Sequence, residues 1–193
     1  MFDAVSDLGP FELLIRTAFL AVALVIATYD TMTLRIPNFM NAIFAVLFFP
    51  AALVVWHVAG SVDWLSHLGG GLAMLALAIL AFRFNVFGGG DAKLLAACGL
   101  WVGVWALPFF LMATAFLGGI EAVGFWVARK LIISVVVRTG ADGAAVRLPV
   151  VLLDGAAIPY GVAIVIGLMI TAWWSPQLWA GELHTIFFTL FHQ

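Results

Sequence analysis

Long apolar runs leave this chain little choice of fold. A helix that crosses a bilayer needs roughly 17–25 mostly apolar residues, because inside lipid every backbone polar group must be satisfied within the protein. The runs are Phe11 to Tyr29, Phe39 to Trp56, Leu65 to Phe82, Leu94 to Ala128 and Ile158 to Trp174. The fourth is too long for one crossing and reads as two short helices turning between Gly103 and Pro108. The expected fold is an all-α polytopic membrane bundle of about six transmembrane helices, a single domain over residues 1–193.

Composition agrees. The chain is 65% hydrophobic and 9% charged, whereas soluble domains average about 25% charged residues. No nucleic-acid partner is expected; the lipid bilayer is. Cys98 is the only cysteine, which excludes an intramolecular disulfide and a zinc site of the CxxC type. The start, MFDAVSDLGPFELLIR, is acidic and lacks the basic opening of a cleaved signal peptide, so the first apolar run reads as a retained helix.

Charge placement tests the count. Arg35, Arg83, Lys93, Arg129, Lys130, Arg138 and Arg147 all fall on one side if there are six spans, and only Arg16 does not. Basic residues favour the cytoplasm. The N-terminus is then outside and the loops after spans one, three and five are inside. Trp173, Trp174 and Trp179 suit an aromatic belt at the outer surface, with residues 178–191 lying along it as an amphipathic helix.

Two aspartates stand out against this background. Asp30 ends the first span, in ATYDTMTLRIPN, and Asp91 opens the fourth, in FGGGDAKLL. Two spans separate them, so they share one side of the membrane. Gly88, Gly89 and Gly90 free the backbone before Asp91 and leave room for a peptide backbone beside it. A helix beginning near Asp91 favours a carboxylate at its start. Ile36, Pro37 and Asn38 stop one helix and start the next. Two carboxylates close together in a low dielectric share one proton. One can then take a proton from water while the other gives one to a carbonyl oxygen or leaving amine. Such amide hydrolysis needs no metal and no cofactor. Taken singly, each aspartate also reads as a helix cap or a solvated end, and a proton- or cation-coupled small transporter using the same carboxylates stays open on these grounds.

The motifs go further. GGGD at 88–91, continued by Ala92-Lys93-Leu94, resembles the GxGD signature of membrane aspartyl proteases, and in its extended form that of the type IV prepilin peptidases. Asp30 followed by Ile36-Pro37-Asn38 resembles that family's first aspartate motif, and Ile158-Pro159-Tyr160-Gly161 its Pro-Tyr-Gly segment. The resemblance implies an endopeptidase that cuts prepilin-like precursors after a glycine, on the cytoplasmic side, just before the precursor's N-terminal hydrophobic helix. It implies Asp30 and Asp91 as the catalytic pair and Gly88 and Gly90 as the fixed glycines. Gly89, Lys93, Pro37 and Asn38 are expected to shape the site or meet substrate. With no CxxC pair and a first span beginning near residue 11, no N-terminal methyltransferase region is expected. The short form is similar to the stand-alone peptidases of tight-adherence (Flp-type) pili. Tyr29-Asp30 also matches the first motif of presenilin-type GxGD proteases, but Ile36-Pro37-Asn38 and Lys93 favour the prepilin branch.

Other polar residues have plainer readings. Glu121 sits about two turns from Arg129 and is placed away from the inner surface, outside the pair. Asp154 caps or approaches the last helix. His57 and His67 flank the outer loop with Asp63 as surface histidines, and His184 and His192 lie in the tail. Gly99 and Gly103 form a GxxxG step for close approach of another helix, with span one as the expected neighbour.

Overall fold

The computed structural model describes residues 10–59, 61–84, 88–139, 149–153 and 155–174. Among these, α1 is Pro10–Thr33, α2 is Asn38–Ala59 and α3 is Trp64–Arg83. A helical run Gly89–Thr139 is broken at Gly103, whose φ of 70° and ψ of 167° no helix contains. The break divides it into α4 (89–102) and α5 (104–139). A single 3₁₀ turn, Val150–Leu152, precedes α6, Tyr160–Trp174. No strand occurs among the described residues. Three helical stretches are long and apolar enough to cross a membrane, and shorter apolar helices lie at Thr17–Thr33 and Tyr160–Ala172. The chain is a helical membrane bundle.

The break at Gly103 shows how the chain turns without leaving backbone groups unpaired. In an unbroken helix the Val104 N–H would donate to the Leu100 carbonyl. Here Ser66 Oγ accepts the Val104 N–H at 3.1 Å, and His67 Nδ1 donates to Leu100 O at 2.9 Å. Adjacent residues of α3 thus replace the one bond the turn removes, and the imidazole carries its proton on Nδ1. His67 is therefore a half-buried structural residue rather than a surface histidine. Asp63 caps the same helix, accepting the Ser66 N–H at 3.0 Å.

The GxxxG step meets a different helix from the one expected. A Cβ on Gly99 would lie 2.6 Å from Gly70 O, and one on Gly70 would lie 2.5 Å from Gly99 O. The partner is α3, because Gly70 offers a matching gap and lets the two backbones touch. Span one meets α4 through rings instead: Phe19 of α1 lies 4.6 Å from the Trp101 ring and 5.4 Å from that of Phe44, and the Trp101 indole donates to Phe44 O at 3.0 Å. These rings tie α1, α2 and α4 together.

Helix α5 continues past Ala128 to Thr139, rising roughly 54 Å in all. Pro108 stands near its start, where a missing N–H costs only one bond. Helix α6 runs back along α5: Gly167 packs on Thr114, and the Tyr160 ring packs on Gly118. The expected tail helix, Asp154 and Phe87 lie outside the described residues.

Candidate active site

Asp30 lies in the last turn of α1. The helix ends through Leu34, whose φ of 54° is left-handed and whose N–H donates to Asp30 O at 2.7 Å. Such a conformation costs a non-glycine residue about 1–2 kcal/mol, so the surrounding packing must hold the turn. Pro37 then bars a continued helix, and α2 starts at Asn38.

This short connection is fastened to the start of α4. A Cβ on Gly90 would lie 2.9 Å from Ile36 O and 3.2 Å from Ile36 N. The close approach allowed by Gly90 is therefore taken by the chain's own loop, not left open for another peptide. Asn41 Nδ2 donates to Gly90 O at 3.0 Å, and Lys93 Nζ donates to Asn38 Oδ1 at 2.6 Å. Gly89 faces away, with the Phe82 ring at ordinary contact distance from its Cβ position.

Asp91 is the third residue of α4. Its Oδ2 accepts the Gly88 N–H at 3.2 Å, the reaching-back half of a capping box. Asp30 is likewise held by a glycine: Gly161 N–H donates to its Oδ2 at 2.8 Å. Gly161 sits in the first turn of α6, where exposed N–H groups and the helix dipole favour a negative charge. Asp30 is only 3% exposed, whereas Asp91 is half-buried. The two carboxylates lie within Coulombic range of each other. Parity had put both at one end of the bundle, and the contacts of Ile36, Gly90 and Gly161 put them there.

Glu121 joins this neighbourhood, against the sequence reading. It lies within Coulombic range of Asp30, and its Oε2 is buried without a hydrogen-bond partner. The reason is that α6 begins well inside the bundle. Arg129 donates to Val151 O at 3.0 and 2.8 Å and to Ala157 O at 3.0 Å. The chain therefore enters beside Arg129 and starts α6 near Gly118, two to three turns deeper. Counting from Arg129 as a surface marker misplaces Glu121. Asn41 was also missed, although its spacing of three from Asn38 puts both on the same side of α2.

Among the described residues no group of three or more His, Cys, Asp and Glu side chains has the arrangement of a metal site. A cavity of about 30 Å³ lies at the other end, lined by Phe48, Val62, His67 and Trp101 among others, and neither aspartate borders it.

A family model described as the type IV leader peptidase family matches residues 17–123. The chain belongs to this family. Membership makes the protein a protease with the general role of a prepilin leader peptidase, embedded in a membrane and acting on a prepilin-like substrate. The matched stretch carries Asp30, Asp91 and Glu121, and ends before Ile158-Pro159-Tyr160-Gly161. Searches of curated proteins and of solved structures return no match.

Proposed function

We propose that Asp30 and Asp91 are the catalytic pair of an aspartic prepilin peptidase. The observation that carries this reading is the matched tethering of the two carboxylates: each is held through Oδ2 by a glycine N–H, at one end of the bundle and within Coulombic range of the other. One oxygen of each is thereby fixed, and Oδ1 of each is the atom that works. The ionised member takes a proton from the attacking water while the protonated member donates its proton to the scissile carbonyl oxygen; the first member then passes the water's proton to the leaving amine as the second takes one back from the gem-diol. Asp30 is nearly closed off, so water and substrate arrive from the Asp91 side. No metal and no cofactor enters the reaction.

The substrate presents an extended segment, because a helical peptide bond is shielded by its own hydrogen bonds. Cleavage follows a glycine at the end of the leader, and the pilin's hydrophobic helix lies in the bilayer beside the bundle. The grouping of basic residues supports a site facing the cytoplasm in an inner membrane, with the N-terminus outside. The whole chain acts as one membrane-embedded domain.

The test is co-expression with a prepilin and measurement of precursor size. Asp30→Asn and Asp91→Asn each leave the precursor uncut while the protein inserts normally. If either variant cuts at the parent rate, that residue is not one of the pair.

A further inference from the structure

The first turn of α4 is made of residues that do little to hold themselves. Gly88, Gly89 and Gly90 lead into Asp91, and glycine gives the backbone its greatest freedom. The bond that Asp91 accepts from the Gly88 N–H joins two residues of one turn. It fixes the side chain to the turn but not the turn to the bundle. That second task falls to the α1–α2 connection and to α2. The backbone of Ile36 abuts Gly90, which blocks closer approach but leaves rotation free. Lys93 reaches Asn38 at the surface, through a long side chain with many rotamers. The third tie is of another kind. Asn41, only 4% exposed, donates from Nδ2 to Gly90 O at 3.0 Å. That carbonyl belongs to the planar peptide joining Gly90 to Asp91, so one directional bond from α2 sets the plane from which Asp91 departs. Asn41 makes this bond at a cost. Its Oδ1 is buried, and among the described residues no group donates to it. A buried polar atom without a partner destabilises a fold. Reversing the amide would set Oδ1 against Gly90 O, acceptor against acceptor, so the orientation is fixed. Nor does Gly90 O need the amide, since the helical pattern already gives it the Leu94 N–H. For stability alone an apolar side chain would serve better at this position.

We propose that Asn41 is a positioning residue for Asp91: through the Gly90 carbonyl it fixes the rotation of the first turn of α4, and with it the place of the Asp91 carboxylate relative to Asp30. This rests on the catalytic-pair reading above. Asn41 does not touch the reacting atoms. It holds the peptide that carries one of them, and the unpaired Oδ1 is what that hold costs the fold.

The experiment measures kcat and KM on a prepilin substrate, and the unfolding temperature in detergent, for the full chain in the parent, Asn41→Leu, Asn41→Ala, Thr114→Val and Asp91→Asn. Leucine keeps the branched shape of the amide but carries neither donor nor acceptor. Asn41→Leu unfolds at the parent's temperature or above it, because the unpaired Oδ1 is gone and Gly90 O keeps its helical partner. Its kcat falls about tenfold, the rate equivalent of one hydrogen bond, with KM within about twofold. Stability kept while turnover is lost is a split that a residue serving only the fold does not give. Thr114 is the control. It too is 4% exposed, with a buried Oγ1 that has no partner, but it lies on α5 against Gly167 of α6. Thr114→Val keeps the parent's kcat. A parent-like kcat in Asn41→Leu overturns the proposal. So does a kcat loss that comes with a lower unfolding temperature, which marks a role in the fold alone. A rise in KM at constant kcat marks a substrate contact and overturns it as well, as does an equal kcat loss in Thr114→Val. Should Asn41→Leu fail to insert, Asn41→Ala decides by kcat and KM alone. An active Asp91→Asn removes the catalytic-pair reading itself; an inactive one beside a parent-like Asn41→Leu removes only this inference.

Discussion

Replacing Gly161 with alanine puts a methyl group 2.7 Å from Asp30 Oδ2, 3.1 Å from Asp30 Cγ and 3.0 Å from Ile36 Cδ1. Carbon atoms in comfortable contact stand about 3.5–4.0 Å apart, so the carboxylate or α6 must withdraw by roughly half an ångström. Added to the present 2.8 Å, that takes the Gly161–Asp30 bond past the usual limit of about 3.2 Å. A hydrogen bond to a charged group contributes about 1.5–3 kcal/mol, and overpacking costs about 1–3 kcal/mol. Alanine returns up to about 1 kcal/mol of helix propensity, which offsets part of the stability loss but none of the misplacement. Stability should therefore change less than activity. At about 1.4 kcal/mol per tenfold in rate, turnover of a prepilin substrate in vesicles should fall roughly 10- to 100-fold. Gly119→Ala on α5 is the control, because a Cβ there meets nothing within 4 Å. If Gly161→Ala cleaves as fast as Gly119→Ala, the anchoring of Asp30 by this glycine does not matter to the reaction.

The three glycines before Asp91 should separate in a cleavage assay: Gly90→Ala meets the backbone of Ile36 and loses most activity, while Gly89→Ala meets only the edge of a Phe82 ring and loses much less. Ser66→Ala and His67→Ala each orphan one backbone group at the Gly103 break, so each should cost about 1–3 kcal/mol, read as a lower unfolding temperature in detergent with cleavage retained at low temperature. The rate of leader cleavage should be bell-shaped in pH, since only the singly protonated pair holds both an acid and a base; a flat profile between acid and alkaline limits would count against the pair.

Hydropathy made most of the fold legible, because each span is a continuous apolar run bounded by proline, glycine or charge. The parity of the two aspartates followed from the same runs. What escaped was depth. Glu121 and Arg129 lie on one helix, and nothing local to them reveals that α6 starts beside Gly118 rather than at the level of Arg129. That offset depends on Arg129 drawing the preceding segment inward, a contact between residues about 22 positions apart. The partner of Gly99 was misassigned for a similar reason: GxxxG says that a helix comes close, while the facing gap at Gly70 decides which one. His67 reads as a surface residue until the broken backbone at Gly103 supplies its acceptor.

Helix α4 runs only from residue 89 to the break at Gly103, a rise of about 21 Å against a hydrocarbon layer of about 30 Å. Most of α4 is buried among the other helices, so its shortfall is bordered by protein rather than by lipid. With one end of α4 tied to Ser66 and His67, the shortfall falls at its first turn, which carries Asp91. A short central helix walled by longer ones leaves a recess at that turn, so the pair proposed above is wetted by the shape of the bundle rather than by an opening of it.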